Sequence, residues 1–223
     1  MKIKAILFDL GGTLVQTSPI PEIFQKILQA HGVDRSTEEI EKARKTAEKQ
    51  ADIEMLPTLG DKFWFIWNAQ VLEQLEIHNN VSLLAKRISE LGWHYAKVEL
   101  YPDVEKTLKL LKQSGFKIGL ITNGLESDVR EILPRVELMG FFDIEIASNT
   151  VGKMKPSKEV FLHALEKLDV LPHEAIFVGD TIEYDYKGAK ECGLKALLID
   201  REDNVKEEDV EKIGTLTEVL EHV

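Results

Sequence analysis

Four short stretches of this 223-residue chain carry side chains suited to phosphate and metal chemistry. The first is Asp9, which ends the apolar run from Ile3 to Phe8 and precedes the pair Gly11-Gly12. A carboxylate at the carboxyl end of a buried parallel strand is costly unless a metal, a cation or backbone N–H groups hold it, and such strand ends form the ligand crevice of open α/β sheets. The second is Thr122-Asn123-Gly124, where a hydroxyl and backbone N–H groups just before a helix can hold an anionic oxygen. The third is Gly152-Lys153-Met154-Lys155-Pro156: Pro156 suits the first turn of a helix, and Lys155 stands where a compact ammonium offsets negative charge. The fourth is Gly179-Asp180 with Asp185 further on. Facing Asp9, these two carboxylates make an oxygen-rich site of the kind Mg²⁺ takes while keeping several waters. Singly, each stretch also reads as an ordinary turn, a solvated lysine or a helix N-cap.

These residues need a sheet to bring them together. The run Ile3 to Phe8 is too short for a helix and is stopped by the glycine pair, which predicts a buried central strand. From Tyr101-Pro102-Asp103 onward the pattern alternates: a helix at Val104 to Gln113, strands at Phe116 to Ile121, Ile144 to Ala147, Ala175 to Val178 and Lys195 to Ile199, helices at Ser127 to Met139, Ser157 to Leu168 and Tyr184 to Cys192, and terminal helices from Glu207. Such alternation indicates a doubly wound parallel sheet. Between the two regions, residues 17–97 read as four helices, near Pro21 to Gln29, from Ser36-Thr37-Glu38-Glu39 to about Met55, Gly60 to Ile77 and Val81 to Lys97. The second opens on a sequence close to a capping box. Phe63, Trp64, Phe65, Trp67 and Trp93 offer pocket-lining surface, although aromatics at helical spacing more commonly fill a bundle core.

Composition narrows the function classes. A net charge of −11 lacks the positive excess that nucleic acid or an anionic membrane surface demands, so an anionic substrate must be met by local charge. No apolar run approaches the roughly 20 residues of a membrane span, and a strand begins at once, so the expected location is the cytosol. The single cysteine, Cys192, excludes an internal disulfide. Glu202 to Glu211 reads as a solvated acidic face.

As an ordered set, Asp9 with Gly-Thr-Leu, Thr122-Asn123, Lys155-Pro156 and Gly179-Asp180 with Asp185 resembles the haloacid dehalogenase superfamily. The likeness covers essentially the whole chain, and the helical insertion after the first motif is similar to that of its C1-capped (subfamily I) members. The resemblance implies a Rossmann-like core of strand order 3-2-1-4-5 at residues 1–16 and 98–223, with a helical cap at 17–97. It also implies a Mg²⁺-dependent phosphatase acting on a small phosphate ester or acyl phosphate. In that scheme Asp9 is the nucleophile forming an aspartyl-phosphate, Thr122 and Asn123 hold phosphoryl oxygens, and Lys155 neutralises charge. Asp9, the backbone carbonyl of Gly11 and Asp180 bind the metal, and Asp185 orients Lys155 or the metal waters.

One position departs from the pattern. Where the family's phosphatases carry a second Asp that protonates the leaving alcohol and activates water, this chain has Gly11. Glycine supplies a carbonyl but shuttles no proton, and a positioned acid–base group is worth about 10² to 10⁴ in rate. Three readings follow: a phosphatase whose substrate has a good leaving group or whose proton is carried otherwise; a hydrolase of another bond, such as a 2-haloacid dehalogenase or phosphonatase-like enzyme; or a weakly active ligand- or protein-binding member. Retaining Asp180 and Asp185 beside Asp9 favours a metal, since like charges roughly 5 Å apart cost a few kcal/mol at an effective dielectric near 20. The phosphonatase reading needs an imine-forming cap lysine, and Lys26, Lys42, Lys45, Lys49 and Lys62 stand in charge-rich settings typical of solvated helix faces.

Overall fold

A computed structural model describes residues 2–207 and 209–223, so the acidic stretch expected at Glu202 to Glu211 is described except for Glu208, which with Met1 lies outside the described residues. The strands are β1 (Ala5–Phe8), β2 (Val15–Thr17), β3 (Val98–Leu100), β4 (Lys117–Ile121), β5 (Ile144–Ile146), β6 (Ala175–Gly179), β7 (Lys195–Ile199) and β8 (Lys212–Ile213). Six of them form one sheet in the order β5-β4-β1-β6-β7-β8. Every pairing in it is parallel. The expected order 3-2-1-4-5 is therefore present, extended by β8 at one edge.

The apolar run specified β1 because a central parallel strand is covered on both faces. All four of its residues are buried. Side chains alternate across the sheet: Ala5 and Leu7 join a cluster with Val160, Phe161, Ala164 and Phe177 on one face, which leaves Ile6 and Phe8 to the other. Phe161, fully buried, meets the Phe177 ring edge-on with centroids 5.2 Å apart. The register sets Phe8 beside Leu120 of β4 and Val178 of β6, so Asp9, Thr122 and Asp180 emerge at neighbouring strand ends. The Asp9 N–H donates to the Val178 carbonyl at 2.9 Å and carries the ladder one residue further.

Two sequence expectations are corrected here. The terminal stretch from Glu207 is not purely helical: Lys212–Ile213 extends the sheet along β7, and only Leu216–His222 winds, as a 3₁₀ turn that buries Leu216 and Val219. Pro156 does not occupy a helical first turn, since the helix spans Lys158–Leu168 with Ser157 as its cap and Pro156 follows Lys155 through a cis peptide.

The chain divides into two compact units, residues 1–16 with 99–223 and residues 17–98. The second contains four longer helices, Ile20–Ala30, Thr37–Gln50, Asp61–Gln74 and Val81–Tyr95, each packed against two of the others. Ser36 and Glu39 form the capping box, with the Glu39 N–H donating to Ser36 Oγ at 3.2 Å and the Ser36 N–H to Glu39 Oε2 at 2.7 Å. Phe63 and Trp67 are core residues, and Trp64 packs edge-on against both rings. Phe65 is exposed. All five lysines named above are exposed, as solvated helix faces require. No described helix is long and apolar enough to cross a membrane. The connecting strands β2 and β3 pair with each other in a separate ribbon.

Replacing Phe161 with Ala removes an aromatic ring from a site with no solvent access, so unfolding in urea should show a loss of about 3 to 5 kcal/mol.

Candidate active site

Lys155 is the centre of the strand-end cluster. Its Nζ donates to Asp9 Oδ1 at 2.6 Å, to Asp185 Oδ1 at 2.6 Å and to the Ile121 carbonyl at 3.0 Å. The ammonium also lies 5.2 Å from the centroid of the Phe177 ring. Lys155 is 2% exposed and Asp9 7%, so water contributes little to their solvation and these bonds must replace it. Three donors fully used on an ammonium is what a buried lysine requires.

Each partner is itself held. The Asn123 side chain clamps the Lys155 main chain from both ends, accepting from its N–H at 2.7 Å and donating to its carbonyl at 3.1 Å. Asp185 spends its second oxygen on Thr181, accepting from the N–H at 3.0 Å and the hydroxyl at 2.6 Å. It reaches that position because Ile182–Lys187 winds as a π-helical turn, in which the Tyr186 N–H donates to the Thr181 carbonyl at 3.1 Å. Wide turns of this kind are frequent at functional sites. Two glycines make room for the carboxylates. A Cβ on Gly179 would fall 2.4 Å from Asp185 Cγ, and one on Gly12, whose φ is +77°, would fall 2.2 Å from Asp180 Oδ2.

Carboxylate oxygens of Asp9, Asp180 and Asp185 lie within 4.8 Å of one another. Burial, reinforced by the charges of Asp185 and Asp180 and opposed by Lys155, pushes the Asp9 carboxyl up to about 7. Desolvation first, then Asp185, pushes Asp180 up to about 6, although the residue as a whole is exposed. Burial works to lower the Lys155 pKa, but Asp9 and Asp185 outweigh it and hold the ammonium above the ordinary lysine range. A divalent cation would relieve this crowding, and the all-oxygen donor set fits Mg²⁺.

The four stretches that carried chemistry in the sequence lie at this end of the sheet. Asp9, Lys155, Asp180 and Asp185 converge. Thr122 is buried at the end of β4, where its Oγ1 accepts from the Gly124 N–H at 3.1 Å. Gly11 is exposed, and a Cβ built on it meets nothing within 4 Å. Lys153 is exposed and Lys155 is the buried lysine of the motif. The sequence reading did not single out Thr181, the Ile121 carbonyl or the Phe177 ring. Of these only Thr181 carried a signal, a hydroxyl one turn before Asp185. A separate cavity of about 320 Å³ in residues 17–98, bordered by His31, Arg35, Glu76 and His78 among others, contains none of the site residues.

Carboxylates and a lysine gathered at the carboxyl ends of adjacent parallel strands define a doubly wound α/β protein of Rossmann-like class. The haloacid dehalogenase-like hydrolase profile matches residues 3–193, and the chain belongs to that family. It is 32% identical over 203 residues to a glyceraldehyde 3-phosphate phosphatase of Pyrococcus furiosus, covering 88% of this chain and 80% of the relative. It is 31% identical over 197 residues to a phosphoglycolate phosphatase of Aquifex aeolicus, covering 88% and 84%. Among solved structures, an HAD phosphatase from Thermococcus onnurineus superposes with a TM-score of 0.66 at 26% identity, covering 99% of this chain and 97% of the other.

The raised carboxyls fix the sign of a pH effect. A group whose folded pKa lies above its ordinary 3.8 contributes stability below that value and loses it as the pH rises through the folded pKa, here about 7 for Asp9 and about 6 for Asp180. With divalent cations chelated, the thermal midpoint should therefore fall between pH 5 and pH 8. A flat or rising midpoint over that range would contradict these assignments.

Proposed function

We propose that this protein is a Mg²⁺-dependent phosphatase of small phosphorylated metabolites working through an aspartyl-phosphate on Asp9. The observation that carries the reading is the buried Lys155 bound at once to Asp9 and Asp185, at 2.6 Å each, beside a third carboxylate. Relatives named for glyceraldehyde 3-phosphate and phosphoglycolate support the substrate class.

In this reading Asp9 attacks phosphorus in line with the departing oxygen. Lys155 favours the ionised form of Asp9 against its burial, orients it, and offsets the charge that grows on the transferring group. Asp185, both of its oxygens committed to Lys155 and Thr181, serves as the post that aims the ammonium. Thr122 offers its hydroxyl to a phosphoryl oxygen; the Asn123 amide is occupied by Lys155, so Asn123 contributes there through its backbone N–H. Mg²⁺, held by Asp9, the Gly11 carbonyl and Asp180, would supply a Lewis acid for the phosphoryl oxygens. Residues 17–97 act as a C1-type cap that governs substrate choice, and the enzyme works in the cytosol.

Gly11 shapes the chemistry that remains. Its Cβ direction is open, so packing does not forbid an acidic side chain; the chain simply lacks one. Leaving groups that depart without protonation, such as carboxylates from acyl phosphates, let the phosphoryl group pass to Asp9 readily, and hydrolysis of the aspartyl-phosphate then proceeds without a side-chain base at position 11. Alkoxides from alkyl esters are handled slowly, with water bringing the proton.

Asp9→Asn should abolish Mg²⁺-dependent release of phosphate from p-nitrophenyl phosphate and acetyl phosphate. Wild-type rates in that variant, or metal-independent chloride release from 2-chloropropionate by the parent, would overturn the phosphatase reading. Gly11→Asp should raise kcat on alkyl phosphates by about 10² or more, since it restores both the acid for the leaving alcohol and the base for the water that hydrolyses the aspartyl-phosphate.

A further inference from the structure

A second polar cluster lies beneath the loop that follows Asp9, and its centre is Arg201, just past the end of β7. The guanidinium carbon sits 3.8 Å from the centroid of the Tyr101 ring. Nη2 donates to the Thr13 carbonyl at 2.9 Å, and Nη1 donates to Asp103 Oδ2 at 2.9 Å. The same Asp103 oxygen accepts the Leu216 N–H at 2.6 Å, which ties the cluster to the C-terminal turn. Next to the Arg201 bond, the Tyr101 N–H donates to the Leu14 carbonyl at 3.1 Å. Consecutive carbonyls of the Asp9 loop are thus gripped from outside the loop.

Inside the loop, the Gly12 N–H reaches the Val15 carbonyl, and the Leu14 and Val15 N–H groups share the Leu10 carbonyl, all at 2.9 Å. These bonds close the turn but leave the Thr13 carbonyl pointing away from it. Thr13 has no solvent exposure, so that carbonyl needs a protein donor. Thr13 Oγ1, Asp103 Oδ1 and Arg201 Nε have no partner among the described residues. The cluster therefore hangs on the few contacts that the planar guanidinium makes in fixed geometry. A lysine could carry the charge, but it could not grip Thr13 and Asp103 with one rigid fork while stacking on Tyr101.

We infer that Arg201 is a positioning residue for the Asp9 loop: by holding the Thr13 carbonyl against Tyr101, it sets the path of residues 10–14 and with it the aim of Asp9 and of the Gly11 carbonyl. The inference rests on the reading of Asp9 as nucleophile and Gly11 as a metal ligand. Displacing reacting groups by about 1 Å is enough to cost a factor near 10² in rate.

The test compares the full chain with its Arg201→Gln and Arg201→Lys variants, using p-nitrophenyl phosphate with Mg²⁺, thermal melting and amide hydrogen exchange. Both variants should melt as folded proteins, lose kcat by about 10 to 100-fold and keep KM within about threefold of the parent. Exchange should quicken at the amides of Gly12, Leu14 and Val15 while those of β1 and β6 keep their protection. Parent-like kcat in both variants overturns the inference, whether or not loop exchange changes. So does a rise in exchange spread evenly through β1 and β6, which marks general destabilisation, and so does full recovery of kcat by Lys. If the parent itself shows no Mg²⁺-dependent turnover, the phosphatase reading fails and this inference falls with it; that case is recognised because parent and variants are equally inactive.

Discussion

One buried ammonium between two carboxylates constrains the rest of the site. Lys155 precedes the helix Lys158–Leu168, Asp9 follows β1, and Asp185 sits in the turn after β6, so the cluster joins three separate parts of the chain. Breaking a buried ion pair by removing one partner usually costs about 3 to 5 kcal/mol, because the survivor is left charged and unsolvated. The surrounding structure is arranged to prevent that. Asn123 fixes the lysine's backbone, Thr181 absorbs the spare oxygen of Asp185, and Gly179 leaves room for that carboxylate beside the strand. An arrangement that holds negative charge this tightly is primed for a further cation or for an electrophile carrying anionic oxygens.

Much of the frame was legible from the sequence because strong local signals agreed with the global fold. Apolar runs of four to six residues bounded by glycine marked β1, β4 and β6, and Ser36 with Glu39 marked a helix start that forms as read. Other features depend on geometry that no local pattern encodes. A π-helical turn differs from an α-helical one by a single residue of hydrogen-bond reach, so the link between Thr181 and Asp185 is visible only once the chain is folded. The clamp of the Asn123 side chain on a backbone 32 residues away is likewise a product of the fold. The two-residue β8 is too short to carry a period, and it forms because β7 offers an unpaired edge.

The first loop shows how much conformational demand can fall on adjacent small residues. Gly12 adopts a left-handed conformation and lets the Asp180 carboxylate approach closely, so a side chain there would strain the backbone and push that carboxylate aside. Gly11 is under no such demand, and its lack of a side chain is a chemical fact more than a structural one. Neighbouring glycines in one motif thus carry different meanings, which their identity alone could not separate.

The margins of the sheet have a consequence for how copies of the chain coexist. β5 at one border has only three residues and projects the exposed carboxylate of Glu145. At the opposite border Lys212 of β8 is engaged by Asp200, Asp203 and the Val205 carbonyl. Another polypeptide adding itself to either border would have little length to zip along, and would have to strip water from Glu145 or dismantle the Lys212 contacts. The fold thereby discourages the templated stacking to which open β-sheets are prone.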